Sequence, residues 1–578
     1  MLLKTMLLFA ITLGCALVAN AERWSRVGVN TKDFKFQANN TQAMPPPENR
    51  IMSFKDVRIN AGVVRGYLRK EPDGDYYAFI GIPYAAPPIG SNRFMAPLPP
   101  KPWLNLLHAK RAVQCPQQGV GDENCLVVNV FAPTSISKQM PVLVYIHGGS
   151  FIMGSGPTQG LSLLVKQNLV VVTLNYRLGV LGFLCLGIDD APGNAGLKDQ
   201  TAALEWVKRN IRQFGGDPKQ VTLYGMSAGA ASVHYHVLSG MSDGLFHKAI
   251  IESGSAMSVW AVDSEPINTA KNFVNDLDPP TPIRNLEELV RFLKRVPADE
   301  LSEANYRLYQ YLIDGRFGFV PCVENTYNTG EAFIFQPPLE VMDKRNYTEV
   351  PIMFLYTSLE GLYLRSPEYY ELDYKNRMNE NFSSFIPADL DIDRGPIGDP
   401  VIKKLKREYF GTSGRVDDEH LNGYLNYFGD YLILHGLLNS AEKHAECHKP
   451  VYLMEFAYKS DRGSFEKFYE YVNIAGHGDL ARNVISSKPV ASRSDKLAVN
   501  RLSQLFANFI KFGNPTPSAT PLLSVKWPRV KPGNLKHLYL DQELSVRDGY
   551  ESTRKRLWDD LYSIYKKPVK AVNPLIFI

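Results

Sequence analysis

The segment Val221-Thr-Leu-Tyr-Gly225-Met-Ser227-Ala-Gly229 joins a short apolar run directly to a run of helical character that extends to Leu238. The first run predicts a buried strand and the second predicts a helix. A G-x-S-x-G motif between a strand and a helix is typical of a sharp turn that exposes the serine hydroxyl. Both glycines are expected to be required, because a Cβ there would collide with the neighbouring strand and helix. Ser227 is therefore a candidate nucleophile, with an ordinary helix N-cap as the alternative.

Further apolar runs around this segment predict a sheet covered by helices. Residues 141–146 and 169–174 are continuously apolar, which is typical of strands buried on both faces of a parallel sheet. Over residues 201–214 the apolar side chains recur at helical spacing, and Gly215-Gly216 ends that run. This alternation of strands and helices predicts an α/β fold with a large central, mostly parallel sheet.

A glycine-rich loop, His147-Gly-Gly-Ser-Phe151, follows the predicted strand at 141–146. A serine hydroxyl is a weak nucleophile without a base, and the charge that develops on a carbonyl oxygen needs hydrogen-bond donors. A loop of this kind after a strand points backbone N–H groups at that oxygen. The predicted donors are the N–H groups of Gly149, Ser150 and Ala228, and the alternative is a generic glycine turn.

The composition is that of an ordinary globular protein with a large core, since 45% of the 578 residues are hydrophobic and 21% are charged. The 64 Lys and Arg exceed the 59 Asp and Glu by five, too small an excess to imply a nucleic-acid partner. No low-complexity linker or internal repeat divides the chain after residue 55. We therefore expect one domain at 56–565, which begins with an antiparallel strand pair at 57–59 and 62–66, and a C-terminal tail at 566–578.

The N-terminus has the three parts of a secretory signal peptide, which we predict at residues 1–21. Lys4 supplies the positive charge, residues 6–18 are apolar, and Ala19-Asn20-Ala21 has the small-x-small pattern of a cleavage site. A retained anchor is the alternative, but the apolar run is shorter than the ~20 residues that span a bilayer. The sequence predicts a secreted, extracellular protein with no stable membrane anchor, whose residues 22–55 form an irregular mature N-terminus.

Secretion predicts oxidised cysteines, and those that remain after residues 1–21 are removed are Cys115, Cys125, Cys185, Cys322 and Cys447. An odd number leaves at least one cysteine free or paired between chains. Cys115 and Cys125 flank a short polar segment with glycines, which suits a disulfide loop. Cys185 follows an apolar stretch and is expected to be a buried thiol, while a Cys322–Cys447 bridge stays open as an alternative.

Three N-x-S/T motifs, at Asn39, Asn346 and Asn381, are candidate glycosylation sites. Such motifs are common by chance, so each is weak evidence alone. Together with the predicted signal peptide they agree with passage through a secretory pathway.

The Ser227 turn and the loop at 147–151 belong to a larger set of short segments that together resemble one protein family. The others are Phe79-Ile-Gly-Ile-Pro-Tyr-Ala-Ala-Pro-Pro-Ile-Gly90, Glu123-Asn-Cys-Leu-Val-Val-Asn129, Asn175-Tyr-Arg-Leu-Gly179, Gly193-Asn-Ala-Gly-Leu-Lys-Asp199, Phe214-Gly-Gly-Asp-Pro218, Gly513-Asn-Pro515 and Trp527-Pro528. The set resembles the type-B carboxylesterases, in the cholinesterase-like branch of the α/β-hydrolases, and looks most similar to secreted insect-type carboxylesterases. The resemblance implies an α/β-hydrolase fold and hydrolysis of a small-molecule carboxylic ester, with no metal and no organic cofactor.

The resemblance also implies the rest of the catalytic group, since the family order is serine, then glutamate, then histidine. The acid is expected before a glycine and after an apolar strand, which here is Glu360. The histidine is expected in a His-Gly-Asp context, which here is His477. Ser227 would attack the ester carbonyl, His477 would move the proton, and Glu360 would orient His477. Leu355 departs from the pattern, because the family usually carries glycine there.

Two departures from the cholinesterase pattern narrow the class of substrate that we expect. Cholinesterases carry glutamate immediately before the nucleophile, whereas this chain has Met226 there. They also carry a tryptophan in the first disulfide loop, whereas no tryptophan lies between Cys115 and Cys125. A quaternary ammonium needs such an aromatic face or a carboxylate, so acetylcholine is disfavoured. Juvenile hormone esterases typically place glutamine immediately before the nucleophile, so Met226 counts against that assignment too. The alternatives to steady hydrolysis are a binding protein of this fold and a scavenger acylated once; the oligomeric state is left open.

Overall fold

The computed structural model describes residues 53–71, 73–135, 138–311, 313–325, 332–365, 372–393, 395–463, 472–549 and 553–577. The predicted signal peptide at 1–21, the motif at Asn39 and nearly all of the predicted irregular segment 22–55 lie outside the described residues. The first strand begins at Phe54, two residues before the predicted start of the domain at 56.

A large central sheet runs through the described residues. Its strands are β1 Phe54–Ile59, β2 Gly62–Glu71, β3 Gly74–Pro83, β4 Leu107–His108, β5 Val127–Pro133, β6 Met140–Ile146, β7 Val170–Leu174, β8 Gly216–Met226, β9 Lys248–Glu252, β10 Ile352–Thr357, β11 Val451–Phe456, β12 His537–Leu540 and β13 Leu544–Arg547. Their order is β1-β2-β3-β5-β7-β6-β8-β9-β10-β11-β12-β13, with β4 beside β2. The seven strands from β7 to β12 in this order pair in parallel, so the prediction of a mostly parallel central sheet is confirmed.

Helices cover the sheet. They are α1 Ser162–Val165, α2 Gly179–Phe183, α3 Ala195–Asn210, α4 Ala228–Leu238, α5 Pro266–Asp276, α6 Leu286–Leu293, α7 Ala298–Tyr311, α8 Pro338–Asp343, α9 Tyr374–Glu380, α10 Asp399–Phe410, α11 Leu421–Gly429, α12 His435–Ala445, α13 Asp479–Val484, α14 Arg493–Phe512 and α15 Thr553–Tyr565. A π-helical turn, Asp430–Leu434, joins α11 to α12.

The elements around the Ser227 turn agree with the sequence predictions in type and differ at their ends. Helix α4 has the predicted bounds, and β1 pairs antiparallel with β2 as expected. The helix predicted over 201–214 begins earlier, at Ala195, and its last turn is a 3₁₀ turn that ends at Gly215 with φ 88°. Strand β8 is longer than the predicted 221–224, because it pairs with β6 on one side and with β9 on the other.

The continuous apolar run of β6 is explained by two buried clusters, one on each face of the sheet. Val142, Val144 and Ile146 belong to the cluster that also contains α4 side chains. Leu143 and Tyr145 belong to the cluster on the other face, which contains side chains of α14. Because successive strand residues point to opposite faces, a strand covered on both sides needs apolar residues at every position.

The parallel strands bring four segments of the chain to one edge of the sheet. Carboxyl ends of parallel strands share an edge, and this is where α/β folds place their ligand sites. The loop at 147–151 follows β6, Ser227 follows β8, Ser253 follows β9 and Glu360 lies three residues after β10. The fold therefore gathers residues that are more than 200 positions apart in sequence.

Two disulfides lie within the described residues. Cys115 and Cys125 are joined, as the sequence predicted. The expectation that Cys185 is a buried thiol is wrong, because Cys185 is bonded to Cys322 across 137 sequence positions. Consequently the alternative Cys322–Cys447 bridge does not form, and Cys447 is a free thiol in contact with the Tyr347 hydroxyl at 2.7 Å.

Removal of the long-range disulfide should lower stability much more than removal of the free thiol. The Cys185–Cys322 bond closes a long loop, so replacing both cysteines by serine is expected to cost roughly 2–5 kcal/mol of unfolding free energy. Cys447→Ser is the matched control and should change stability little. Denaturant unfolding under non-reducing conditions measures both effects; equal midpoints for the two variants would contradict the assignment.

Candidate active site

The Ser227 turn has strained backbone geometry that its two flanking glycines permit. Ser227 has φ 59° and ψ −123°, between the end of β8 and the start of α4. A Cβ at Gly225 would collide with the Gly229 carbonyl oxygen, and a Cβ at Gly229 would collide with the Ile146 carbonyl oxygen. The Ser227 side chain makes no capping bond with α4, so the structure does not favour the N-cap alternative.

The loop after β6 lies directly against this turn. A Cβ at Gly148 would lie 2.5 Å from the Met226 carbonyl oxygen and 3.1 Å from Ser227 Cβ, so only glycine fits. Gly149, Ser150 and Phe151 all have positive φ, at 108°, 55° and 62°. Three consecutive left-handed residues turn the chain sharply, and such strain is kept where the surrounding structure demands it.

Three backbone amides beside Ser227 are available to a ligand. The N–H groups of Gly149, Ser150 and Ala228 donate no hydrogen bond to any described residue. Gly149 and Ser150 line the same cavity as Ser227, and Ala228 is the first residue of α4, where a helix leaves its N–H groups unpaired. The three predicted donors therefore lie on two segments that meet at the serine.

His147, the first residue of the loop, is neutral and supports the backbone. Burial lowers its pKa to about 4. Its Nδ1 lies 2.8 Å from the Gly148 carbonyl oxygen, and its ring stacks on Tyr176 at 4.4 Å between centroids. His147 is therefore uncharged at neutral pH.

Glu360 and His477 are in direct contact although 117 positions separate them. His477 Nδ1 lies 2.7 Å from Glu360 Oε2. The other carboxylate oxygen, Oε1, accepts hydrogen bonds from Ser253 Oγ and from the Thr357 amide, both at 2.7 Å. Because the buried carboxylate is held on both oxygens, it fixes the orientation of the imidazole and leaves Nε2 as the nitrogen available to Ser227.

Backbone contacts hold the acid and histidine segments together. The Leu359 amide donates to the Ala475 carbonyl at 3.1 Å, and Leu359 forms a β-bridge with Gly476. A Cβ at Gly476 would lie 2.7 Å from Leu362 Cβ, so the two segments approach as closely as glycine allows. This contact brings His477 to the edge of the sheet where Ser227 lies.

A cavity of about 250 Å³ opens on this group of residues and is lined by Ser227, His477, Gly149 and Ser150. Aromatic side chains form much of its wall, from Trp260, Tyr306, Tyr309, Phe317, Tyr363, Tyr374, Phe428 and Tyr431. Met226 and Met153 also line it and add further apolar surface. Among the described residues, no Asp, Glu, Lys or Arg lines this cavity.

Sequence reasoning missed Ser253 and Glu252, which lie at the end of β9. Ser253 donates to Glu360, and the main-chain carbonyl of Glu252 accepts the Ser227 amide at 2.8 Å. The available signal was their place after the apolar run at 249–251. That signal has meaning only once β9 is known to lie between β8 and β10.

Glu252 should make stability depend on pH in a predictable direction. Burial raises the pKa of its carboxyl from 4.5 to about 8. As pH rises, the unfolded chain therefore loses this proton at a lower pH than the folded chain does. The stability that the protonated carboxyl contributes below about pH 4.5 is lost as pH rises towards 8. The unfolding free energy of wild type minus that of Glu252→Gln should fall by about 1.4 kcal/mol per pH unit in this window. Denaturant unfolding at several pH values tests this, and a constant difference would contradict it.

Comparison with known proteins finds relatives that match most of this chain. Residues 53–558 match the model of the Carboxylesterase family. A carboxylic ester hydrolase of Bombus ignitus is 31% identical over 87% of this chain and 94% of its own length. A juvenile hormone esterase of Tribolium castaneum is 32% identical over 76% of this chain and 80% of its own. The solved juvenile hormone esterase of Manduca sexta, with OTFP covalently attached, has a TM-score of 0.79 at 30% identity and covers 88% of this chain and 100% of its own.

The fold is therefore that of an α/β-hydrolase. The chain belongs to the carboxylesterase family, and the resemblance inferred from its motifs is confirmed. Family and relatives together support ester hydrolysis as its class of reaction.

Proposed function

We propose that this protein is a secreted serine carboxylesterase that hydrolyses uncharged, largely apolar carboxylic esters through an acyl-enzyme on Ser227. The observation that carries the proposal is the 2.7 Å contact between His477 and Glu360, since His477 lines one cavity with Ser227. Steady turnover of a neutral p-nitrophenyl ester by the purified chain tests it. Absence of turnover in correctly folded protein would contradict it.

In the acylation step, Ser227 Oγ attacks the ester carbonyl while His477 takes the hydroxyl proton. Glu360 keeps the proton of the neutral imidazole on Nδ1 and stabilises the charged ring that forms. The oxyanion accepts hydrogen bonds from the amides of Gly149, Ser150 and Ala228, each worth about 2.7–4 kcal/mol by analogy with measured donors. His477 then gives its proton to the leaving alcohol.

Deacylation repeats the same chemistry with water. His477 removes a proton from the water as it attacks the acyl-enzyme, the same amides hold the oxyanion, and Ser227 leaves with the returned proton. The covalent OTFP in the Manduca sexta relative supports a covalent intermediate in this fold. No step requires a metal or an organic cofactor.

The cavity wall supports an uncharged substrate. Aromatic and aliphatic side chains dominate it, and His477 is its one ionisable group apart from tyrosine hydroxyls among the described residues. A charged substrate would lose its hydration without gaining an ion pair, which is costly. Rings can attract a cation, but that gain is only about 0.5–2 kcal/mol.

Acetylcholine and its neutral isostere, 3,3-dimethylbutyl acetate, should therefore differ as substrates. We expect kcat/KM to be ~10–100-fold higher for the neutral ester, since no carboxylate compensates the desolvated ammonium. Initial rates for the two acetates, which share the acyl group, measure this. Faster hydrolysis of acetylcholine would contradict the proposed substrate class.

Secretion and glycosylation are part of the proposal. The signal peptide predicted at 1–21 and two disulfides support an oxidising extracellular location. Asn346 and Asn381 are both exposed, as an acceptor for a glycan must be. Within the described ranges, no helix is long and apolar enough to cross a bilayer.

A further inference from the structure

Glu252 is a fully buried carboxyl group that contacts three segments of the candidate active site. Its main-chain carbonyl accepts the Ser227 amide at 2.8 Å. Its side-chain Oε2 accepts the Tyr224 hydroxyl at 2.5 Å, and its Oε1 accepts the Ala481 amide at 3.0 Å. One residue thus joins the strand before the nucleophile, the nucleophile itself and the helix that follows His477.

The contact with Ala481 fixes the segment that carries the histidine. Ala481 is the third residue of α13, so its N–H has no partner within that helix. Glu252 supplies the missing acceptor from a different strand. Since α13 begins two residues after His477, this bond ties the histidine segment to the end of β9 and, through β9, to Ser227.

We propose that Glu252 is a positioning residue, which holds the His477 segment in register with the Ser227 turn through the Ala481 amide and the Tyr224 hydroxyl. The proposal rests on the proposed function. It adds a second link to the site, beside the hydrogen bond by which Ser253 orients Glu360.

The groups that face Glu252 are consistent with a neutral carboxyl. Burial and the nearby carboxylates of Glu360 and Asp479 raise its pKa to about 8, while Tyr224 and Ala481 act in the opposite direction. Tyr145 also interacts electrostatically with Glu252, and Arg482 acts on that tyrosine in the opposite direction. Burial of Glu252 therefore disfavours a second negative charge beside the Glu360–His477 pair.

The test compares Glu252→Leu with Glu252→Gln. Leucine removes the acceptor, so the histidine segment loses its anchor; a misplacement of about 1 Å costs roughly 10²-fold in rate. We expect Glu252→Leu to lower kcat by about that factor with KM nearly unchanged. Glutamine keeps Oε1 as acceptor for Ala481, and its amide can donate to the Tyr224 oxygen. Glu252→Gln should therefore retain most of the wild-type kcat.

Tyr224→Phe and Tyr145→Phe form a matched pair of controls. The two rings lie 5.0 Å apart on neighbouring strands, and Tyr224 is the one that donates to Glu252. Tyr224→Phe should lower kcat several-fold, whereas Tyr145→Phe should leave it unchanged. Equal effects of the two substitutions would overturn the proposed link.

Hydrogen exchange separates this proposal from the proposed function. Exchange at the Ala481 amide should be fast in Glu252→Leu and slow in wild type and Glu252→Gln, whether or not the protein hydrolyses esters. Slow exchange in all three proteins would overturn the anchoring role. If Glu252→Leu merely lowers the melting temperature, with kcat per folded molecule unchanged, Glu252 is structural and the proposal fails. Loss of ester turnover in wild type would instead refute the proposed function.

Discussion

Ser227→Ala is expected to reduce kcat for ester hydrolysis by about a millionfold, as loss of the nucleophile does in a serine hydrolase. The turn places this hydroxyl between two amide-bearing segments, and His477, the proposed base, lines the same cavity. The flanking glycines still permit the same turn when residue 227 is alanine, so the fold should persist. Residual activity should reflect only binding and the oxyanion donors.

Ser258→Ala is the matched control for that variant. Ser258 is a buried serine near the site whose hydroxyl has no hydrogen-bond partner among the described residues. Its loss should therefore leave kcat within a few-fold of wild type. Rates with a p-nitrophenyl ester measure both variants; a Ser227→Ala enzyme that keeps more than a hundredth of wild-type kcat would refute the assignment of the nucleophile.

Glu360→Gln is expected to lower kcat by about 10⁴-fold with little loss of stability, the size of effect seen when a triad acid becomes an amide. The Thr357 amide can only donate, and it faces Oε1. The glutamine oxygen must therefore occupy that position, which directs the new NH₂ group at His477 Nδ1. Nδ1 then becomes an acceptor and the ring proton moves to Nε2, so His477 cannot accept the proton of Ser227.

Glu455→Gln tests whether any carboxylate at this edge of the sheet has the same effect. Glu455 lies on β11 beside β10 and accepts the Ser358 hydroxyl at 2.6 Å, without contact to His477. Its substitution should change kcat by less than tenfold. A Glu360→Gln enzyme as active as Glu455→Gln would mean that Glu360 does not set the tautomer of His477.

Local sequence patterns could predict those parts of the fold whose physical causes lie within a short stretch of chain. The Ser227 turn, α4 and the buried strands follow from glycine sterics and apolar periodicity within a dozen residues. Glu360 and His477 carry no comparable local signal, and their assignment came from family resemblance. Their contact depends on the pairing of the segments at 359 and 476, which no short pattern encodes.

Long-range features were the ones that sequence reasoning missed. Cys185 lies in an apolar setting that suits a thiol, and its bond to Cys322 depends on how distant loops pack. Glu252 and Ser253 gain their significance only from the strand order. The aromatic wall of the cavity is likewise assembled from α7, α11 and other segments that meet only in the folded chain.

The account depends most directly on an acyl group passing through Ser227. Rapid quenching of the enzyme during turnover of a p-nitrophenyl ester, followed by mass analysis of the peptide that contains Ser227, measures this. We expect the acyl mass on that peptide to form in a burst, to decay at the rate of turnover, and to be absent from Ser227→Ala. Steady hydrolysis with no adduct on this peptide, or an adduct that persists without further turnover, would contradict it.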